Sequence, residues 1–371
     1  MRADDKLQVA DDFEYLVSFL PSGWEEKARE LGALRRCRKV NDAKTLLRVL
    51  LMHVAEGSSL RETAARARKG KLINLSDVAI MDRLRQAGEW FCWMNREMMR
   101  RWVPHHPTRV FGEGVEVRVV DATRVKEPGP TGSWWCVHYC IGLPSLRCHE
   151  LVVVDRSGNG ETLKKYTVEP GALYVGDRAY GDGPGIAYVR RAGGEVLVRF
   201  GWSQLPLWQR DGEAFRLFER LRELQGREVG DWDVVLRHNG DQWDGRVCAL
   251  RKSRQAAERA RKRARRAAKK QGQQIKPETL EAAGYVFVYT SMSRERLPAT
   301  RALEMYRGRW QIELVFKRLK SLMAFGHLRK KDPESARSWL HGKLLVAFLV
   351  EALITQGEAF FPWGYPIEPS T

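Results

Sequence analysis

The sequence predicts an α/β protein with an all-helical N-terminal segment and a β-rich insertion that splits its α/β core. Three observations point there. Helical periodicity fills residues 7–102, and short β-rich runs alternate with helices from 115 to 200. Turn-rich, strand-like pieces around a strongly basic run then occupy residues 202–289, before helical periodicity returns at 298. A chain of 371 residues exceeds one ordinary core, so several domains are expected. The boundaries read as 1–110 (helical, DNA-binding), 111–201 (first part of the core), 202–290 (insertion), 291–358 (helical return to the core) and 359–371 (tail).

Within the first segment, Ala43 to Ala55 carries a well-spaced apolar face. Ser59 and Glu62 form a capping box that opens Leu60 to Arg68. After a break at Lys69 to Asn74, Ser76 or Asp77 caps a helix running through Ile80, Leu84 and Trp90. This order admits a helix-turn-helix, and equally a plain bundle packed on the next domain. His105-His106, between Pro104 and Pro107, reads as linker without chemistry.

From Val115 the period changes. Val115 to Val120 is a strand ending at Asp121, and Pro128-Gly129-Pro130 with Gly132 makes a turn. Ser133 to Gly142 and Leu146 to Val154 are two further strands, and Glu161 to Lys165 is a short helical piece. Leu173 to Gly176 is a buried strand delivering Asp177, Gly185 to Ala192 a helix, and Glu195 to Phe200 a fifth strand. Three strands, helix, strand, helix, strand is the order of a ribonuclease-H-like core, although other α/β folds share it. In the insertion, Asp231 to Arg237, Gly245 to Leu250 and Tyr285 to Thr290 read as strands. Pro298 to Lys320 and Glu334 to Thr355 read as the closing helices, and Phe360 to Thr371 as a loose tail.

The net charge of +18 favours a polyanionic partner over a merely solvated basic surface. Residues 251–270 carry eleven Lys or Arg, among them Arg259, Arg263 and Arg266, against the single acid Glu258. Ala-rich and free of Pro, this run is a basic helix suited to lie along a phosphate backbone, or else a solvated linker helix. Six cysteines (Cys37, Cys92, Cys136, Cys140, Cys148, Cys248) show no CxxC spacing. Cys136, His138 and Cys140 alternate on a strand with Cys148-His149 downstream, where buried thiols are a simpler account than zinc. The N-terminus lacks a signal-like apolar core, and the apolar stretch Leu344 to Thr355 is short and contains Glu351. These features give a cytoplasmic protein without a membrane partner.

The chemistry concentrates at Tyr306, Arg309, Glu313 and Lys320, whose spacings of three, four and seven put them on one face of a continuous helix. Cations around Glu313 hold it ionised, which makes it a poor general base and a good metal ligand beside phosphates. Asp121 and Asp177 stand at strand ends, where α/β sheets gather their ligands, although turn-forming Asp is the commoner role. Three converging carboxylates need cations to offset their repulsion, and all-oxygen ligation suits Mg²⁺ or Mn²⁺. Two such ions, about 3.5–4 Å apart, clamp the attacking and leaving oxygens of a phosphoryl displacement.

The pattern Y-(2)-R-(3)-E-(6)-K at Tyr306, Arg309, Glu313 and Lys320 resembles the signature of the DDE transposases of bacterial insertion sequences. More narrowly it is similar to the YREK branch, which includes the transposon-five transposase. Asp121-Ala122-Thr123 resembles the first acidic motif of that branch, and Gly176-Asp177-Arg178-Ala179-Tyr180-Gly181 the second. The stretch from Val125-Lys126-Glu127-Pro128-Gly129 through Trp135-Cys136-Val137-His138-Tyr139 is also similar, and the resemblance spans roughly Val115 to Lys331. It implies a ribonuclease-H-like catalytic core with a β-strand insertion, and cut-and-paste cleavage and strand transfer through a hairpin intermediate. It implies two Mg²⁺ ions (Mn²⁺ as a substitute) held by Asp121, Asp177 and Glu313, with Tyr306, Arg309 and Lys320 on DNA phosphates. Partners would be double-stranded DNA, as terminal inverted repeats and target, and a second copy of the chain in a synaptic homodimer associated with the nucleoid. The family stacks an insertion aromatic, typically Trp, on a flipped base. The matching place is Tyr285, 28 residues before Glu313, with Trp202 and Trp208 as fallbacks and a plain core role as the alternative.

Three other functions fit parts of the sequence. A catalytically inactive, transposase-derived DNA-binding protein would not need all three acids. A ribonuclease-H-like structure-selective nuclease needs the acids but not the YREK helix or the insertion. A carboxylate-pair glycosidase would need neither the charge nor the phosphate-binding helix.

Overall fold

The computed structural model describes residues 12–35, 40–102, 115–129, 134–155, 160–326 and 328–359. Cys37, the His105-His106 linker, most of the Pro130 to Gly132 turn and the tail from Phe360 lie outside the described residues.

The N-terminal part is helical, as α1 (Asp12–Val17), α2 (Trp24–Glu30), α3 (Ala43–Glu56), α4 (Leu60–Lys69), α5 (Asp77–Gln86) and α6 (Gly88–Trp102). Side-chain caps set three starts. Asp42 accepts from the Thr45 amide, Ser59 from Glu62 and Ser76 from Ala79, each contributing about 1 kcal/mol. The helix expected to run from Ser76 through Trp90 is two helices, broken at Ala87. Gly88 opens the second of them, and a Cβ there would meet the Ser338 Oγ at 2.8 Å. Glycine there admits the last helix, α13 (Pro333–Ala359), against which α3, α5 and α6 all pack.

The sheet has nine strands in the order β3-β2-β1-β4-β5-β9-β8-β7-β6. They are β1 (Val117–Lys126), β2 (Trp134–Leu143), β3 (Cys148–Val154), β4 (Leu173–Gly176), β5 (Glu195–Arg199), β6 (Leu207–Trp208), β7 (Val229–His238), β8 (Asp241–Arg251) and β9 (Tyr285–Thr290). β1, β4 and β5 are parallel neighbours and the other pairings are antiparallel, so the sheet is mixed. The insertion strands do not form a sheet of their own. β9 pairs with β5 on one side and β8 on the other, which extends the core sheet outward. The β7–β8 hairpin turns at Asn239 (φ 50) and Gly240 (φ 85), the two left-handed residues of a type I′ turn. The remaining helices are α7 (Gly183–Arg191), α8 (Leu217–Glu223), α9 (Arg254–Lys270), α10 (Pro277–Ala282), α11 (Ala299–Gly308) and α12 (Trp310–Leu322).

Strand alternation sorts the core onto two faces. Val117, Val119, Tyr139, Leu173 and Val175 join the N-terminal helices and α11 to α13 in one apolar cluster. Val120, Cys140, Tyr174, Val196 and Val198 join Tyr166, α7 and α8 in the other. Buried Arg246 on β8 fastens the insertion to the approach to α11. Its Nη1 donates to both Asp231 oxygens (2.9 and 2.7 Å), Nε to the Met292 carbonyl, and Nη2 to those of Ser293 and Leu297. All five guanidinium N–H groups are thereby used.

α13 has 27 residues, longer than the apolar stretch the sequence delimits. Residues Pro333–Gln356 are long and apolar enough to cross a membrane, but an 18-residue apolar window within them is two-thirds buried inside the protein. Burial raises the Glu351 carboxyl from 4.5 to about 7, against the opposing pull of Arg147 and Arg318. The folded chain therefore holds this proton more tightly than the unfolded one. Stability from this group is complete below about pH 4.5 and is lost as pH rises through about 7. Glu351→Gln is expected to stabilise the protein at pH 8 by up to about 3 kcal/mol and to leave it unchanged at pH 4. Thermal melts at the two pH values check this.

Candidate active site

Two parallel strands set the first pair of acids side by side. β1 and β4 pair with Val119 opposite Val175, so two residues further along the same register bring Asp121 beside Asp177. Both odd-numbered positions point to the face covered by α11 and α12. Asp121 is not at a strand end, because β1 continues to Lys126, with Thr123 and Val125 buried beyond it. Its Oδ1 accepts from the Ala122 amide (2.8 Å) and its Oδ2 from Arg309 Nη1 (3.2 Å). Asp177 does end its strand. It caps a short 3-10 helix, Arg178–Tyr180, by accepting from the Ala179 amide at 2.7 Å.

The residues around Asp177 have separable jobs. A Cβ on Gly176 would lie 2.8 Å from that of Tyr180, and one on Gly181 would lie 2.3 Å from the Arg199 carbonyl. These glycines let the chain fold back on itself against β5. Tyr180 is then buried with its hydroxyl 3.3 Å from that of Tyr166, and Tyr166 donates to the Asp121 carbonyl at 3.1 Å. Paired phenols under the sheet thus fix the backbone of the first acid.

Burial raises the Asp121 carboxyl to about 6; the Ala122 amide and Arg309 pull it down, while Asp177 and Glu161 push it up. Glu161 is itself raised, by burial and then by Asp177, against Arg124. In the sequence this fourth carboxylate stands only at the start of a short helical piece, and no spacing or motif marks it. The described 3-10 turn begins two residues later, at Leu163.

The helix bearing the Tyr-Arg-Glu-Lys pattern is two helices joined at Arg309, not one. The Arg309 amide donates to the Tyr306 carbonyl and the Ile312 amide to that of Arg309, both at 3.2 Å. These i→i−3 bonds tighten the turn just after Gly308, a residue that weakens a helix by about 1 kcal/mol. From this joint the Arg309 guanidinium bridges two carboxylates, with Nη1 on Asp121 and Nη2 on Glu313 at 2.6 Å. The side chains of Arg309 and Asp121 are 15% and 16% exposed, whereas that of Glu313 is 58% exposed. Half-buried Tyr306 stands alongside. Burial raises its hydroxyl, with Arg309 and Arg199 opposing and Asp177 reinforcing.

Asp121, Asp177, Tyr306, Arg309 and Glu313 therefore meet in one neighbourhood, organised about a guanidinium. Among the described residues, no three His, Cys, Asp or Glu side chains are close enough together to hold a metal ion. Lys320 lies two turns beyond Glu313 on the exposed side of α12, about 10 Å along the axis. Trp310, Glu313, Lys317 and Lys320 are all exposed, at steps of three, four and three. Trp310 is half exposed, and the sequence marks it only by its place beside Arg309.

Tyr285 is buried at 8% exposure in the second apolar cluster. That burial agrees with the core role for Tyr285. Of the two fallbacks, Trp202 is capped by Lys276 and Trp208 by Arg237, with cation-to-centroid distances of 5.8 and 4.8 Å. Arg259, Arg263 and Arg266 are all exposed on α9, while Arg261 is tied to Glu258 and to the Leu280 carbonyl.

The chain is similar to known proteins over most of its length. The family model described as a transposase DDE domain matches residues 114–349. The chain is 32% identical over 348 residues to InsL of insertion sequence element IS186A from Escherichia coli (strain K12), covering 92% of this chain and 93% of that one. It is equally similar, over 349 residues with the same coverage, to the transposase for insertion sequence element IS421 of Escherichia coli. A shorter stretch of 67 residues is 40% identical to the transposase for insertion sequence element IS231F of Bacillus thuringiensis subsp. israelensis, covering 18% of this chain and 14% of that one.

Proposed function

The chain belongs to the DDE-domain transposases of insertion sequences, and from that membership we propose that it excises its element by metal-dependent cut-and-paste cleavage, through a hairpin at each end, and joins it to target DNA. The observation that carries this reading is the placing of Asp121 beside Asp177, two residues past the last paired position Val119–Val175 of two parallel strands, with Glu313 linked to Asp121 through Arg309. The strand order β3-β2-β1-β4-β5 supports a ribonuclease-H-like core.

Hard oxygen donors with an excess of negative charge fit a divalent cation, and Asp121, raised chiefly by burial and further by Asp177 and Glu161, belongs to such a set. Asp121, Asp177 and Glu313 would hold Mg²⁺ or Mn²⁺ as a pair of ions. When bound, these supply Lewis-acid stabilisation of charge on the attacking and leaving oxygens. The remaining roles fall to the chain itself. Arg309 forks onto a phosphate near the cleaved end, Tyr306 orients it, and Lys320 holds the backbone further along α12. Trp310, exposed beside Arg309, takes the stacking role on an extruded base for which Tyr285 is too buried. The helical segment 1–110 contributes end recognition, and two copies of the chain act together on paired ends in the cytoplasm.

Arg259, Arg263 and Arg266 lie at i, i+4 and i+7, an exposed stripe about 10 Å long suited to track a DNA backbone. Replacing all three with Gln is expected to weaken DNA binding and flatten the slope of log K against log salt by about 0.9 per lost contact. Fluorescence anisotropy across a salt series measures it, and an unchanged slope makes α9 a spectator. The proposal as a whole is tested by incubating purified protein and Mg²⁺ with a plasmid carrying both element ends. The expected products are an excised element with exonuclease-resistant hairpin ends and a linear plasmid backbone. Nicked circles alone would refute the cut-and-paste reading.

A further inference from the structure

Resting on the reading that these carboxylates hold divalent cations, we propose that Arg309 is a built-in counter-ion that keeps the site closed until DNA arrives. In the DNA-free protein its guanidinium binds Asp121 and Glu313 together; a DNA phosphate then draws it away and frees both carboxylates for the metal.

The geometry is that of a bridge. Nη1 serves Asp121 at 3.2 Å and Nη2 serves Glu313 at 2.6 Å, so one planar group neutralises acids from two distant segments. The Asp121 oxygen left over already accepts the Ala122 amide, so both oxygens of that carboxylate are engaged. A divalent cation must therefore compete with the guanidinium for Asp121. Arg309 is well placed to let go. Its backbone is fixed at the α11–α12 joint, and one of its two carboxylate partners, Glu313, is 58% exposed. Exchanging carboxylates for a phosphate costs a guanidinium little, since its fork fits either anion. The vacated carboxylates then repel one another and attract hard cations. Metal and DNA must on this account strengthen each other by the same factor. The device keeps the chain from assembling a cleaving centre away from its substrate.

The test is Mn²⁺ binding to the full chain without DNA, with free Mn²⁺ counted by electron paramagnetic resonance. Arg309→Gln is expected to tighten binding by about tenfold or more, the effect of no longer having to break one charge-assisted hydrogen bond. Arg309→Lys, which retains the charge but reaches one carboxylate at a time, should fall between. Adding a duplex of the element's own end should tighten Mn²⁺ binding by the wild type and change Arg309→Gln much less. Circular-dichroism melts confirm that each variant is folded. The proposal is overturned if Arg309→Gln binds Mn²⁺ no tighter than wild type while Asp121→Asn weakens the binding that wild type shows. If no variant shows binding that depends on Asp121, with or without the duplex, the carboxylate reading itself falls and takes this one with it.

Discussion

Asp121→Asn is expected to lower strand cleavage roughly a thousandfold, equivalent to about 4 kcal/mol of transition-state stabilisation, while DNA binding stays largely intact. The substitution is nearly isosteric. An Asn carbonyl oxygen can still accept the Ala122 amide, and the Tyr166 hydroxyl still holds the backbone carbonyl, so strand β1 keeps its place. What disappears is the charge on the acid nearest Asp177 and the partner of Arg309 Nη1. An end-labelled duplex in Mg²⁺ reports the cleavage, and anisotropy on the same duplex reports the binding. Asp177→Asn and Glu313→Gln should behave alike. Persistent cleavage by Glu313→Gln would remove Glu313 from the proposed centre and leave the Arg309 contact as a surface ion pair.

Arg246→Met is expected to destabilise the protein by about 3–5 kcal/mol, the range for breaking one side of a buried ion pair. Met fills much of the volume but donates nothing. Asp231 would keep its contacts with Arg294 and the Cys248 thiol, the carbonyls of Met292 and Leu297 would lose this donor, and that of Ser293 would keep the Leu297 amide. Urea unfolding should show a lower midpoint at an unchanged slope. Because residues 292–297 lead into α11, cleavage should also fall at temperatures where the variant is still folded. A loss below about 1 kcal/mol would mean that the loop finds other donors.

Element types were largely legible in the sequence, and so was the neighbourhood of the candidate site. β4 delivers Asp177 because Leu173 to Gly176 is a short apolar run that ends at a turn-former, which is a local signal. Alternation beyond Asp121, with Thr123 and Val125 buried, was also present in the sequence but outweighed by the preference of Asp for strand ends. The joint at Arg309 was hidden because spacing of three, four and seven is satisfied by an unbroken helix, and only Gly308 hinted otherwise. The pairing of β5 with β9 links residues some ninety positions apart. No local pattern encodes such a pairing. For the same reason the sequence could name Arg309 and Glu313 as partners on one helix, but not Asp121 as the third member of the bridge.

The bond between β5 and β9 has an evolutionary corollary. A segment plugged into a loop can be lost or swapped without disturbing its host, but this one supplies the neighbour that covers β5. Trimming it would leave a raw sheet margin of unpaired amides and carbonyls, ready to capture another chain. Shortening of this lineage should therefore occur in the connections around α9 and α10, and spare β9, β8 and β7, which extend the sheet beyond β5.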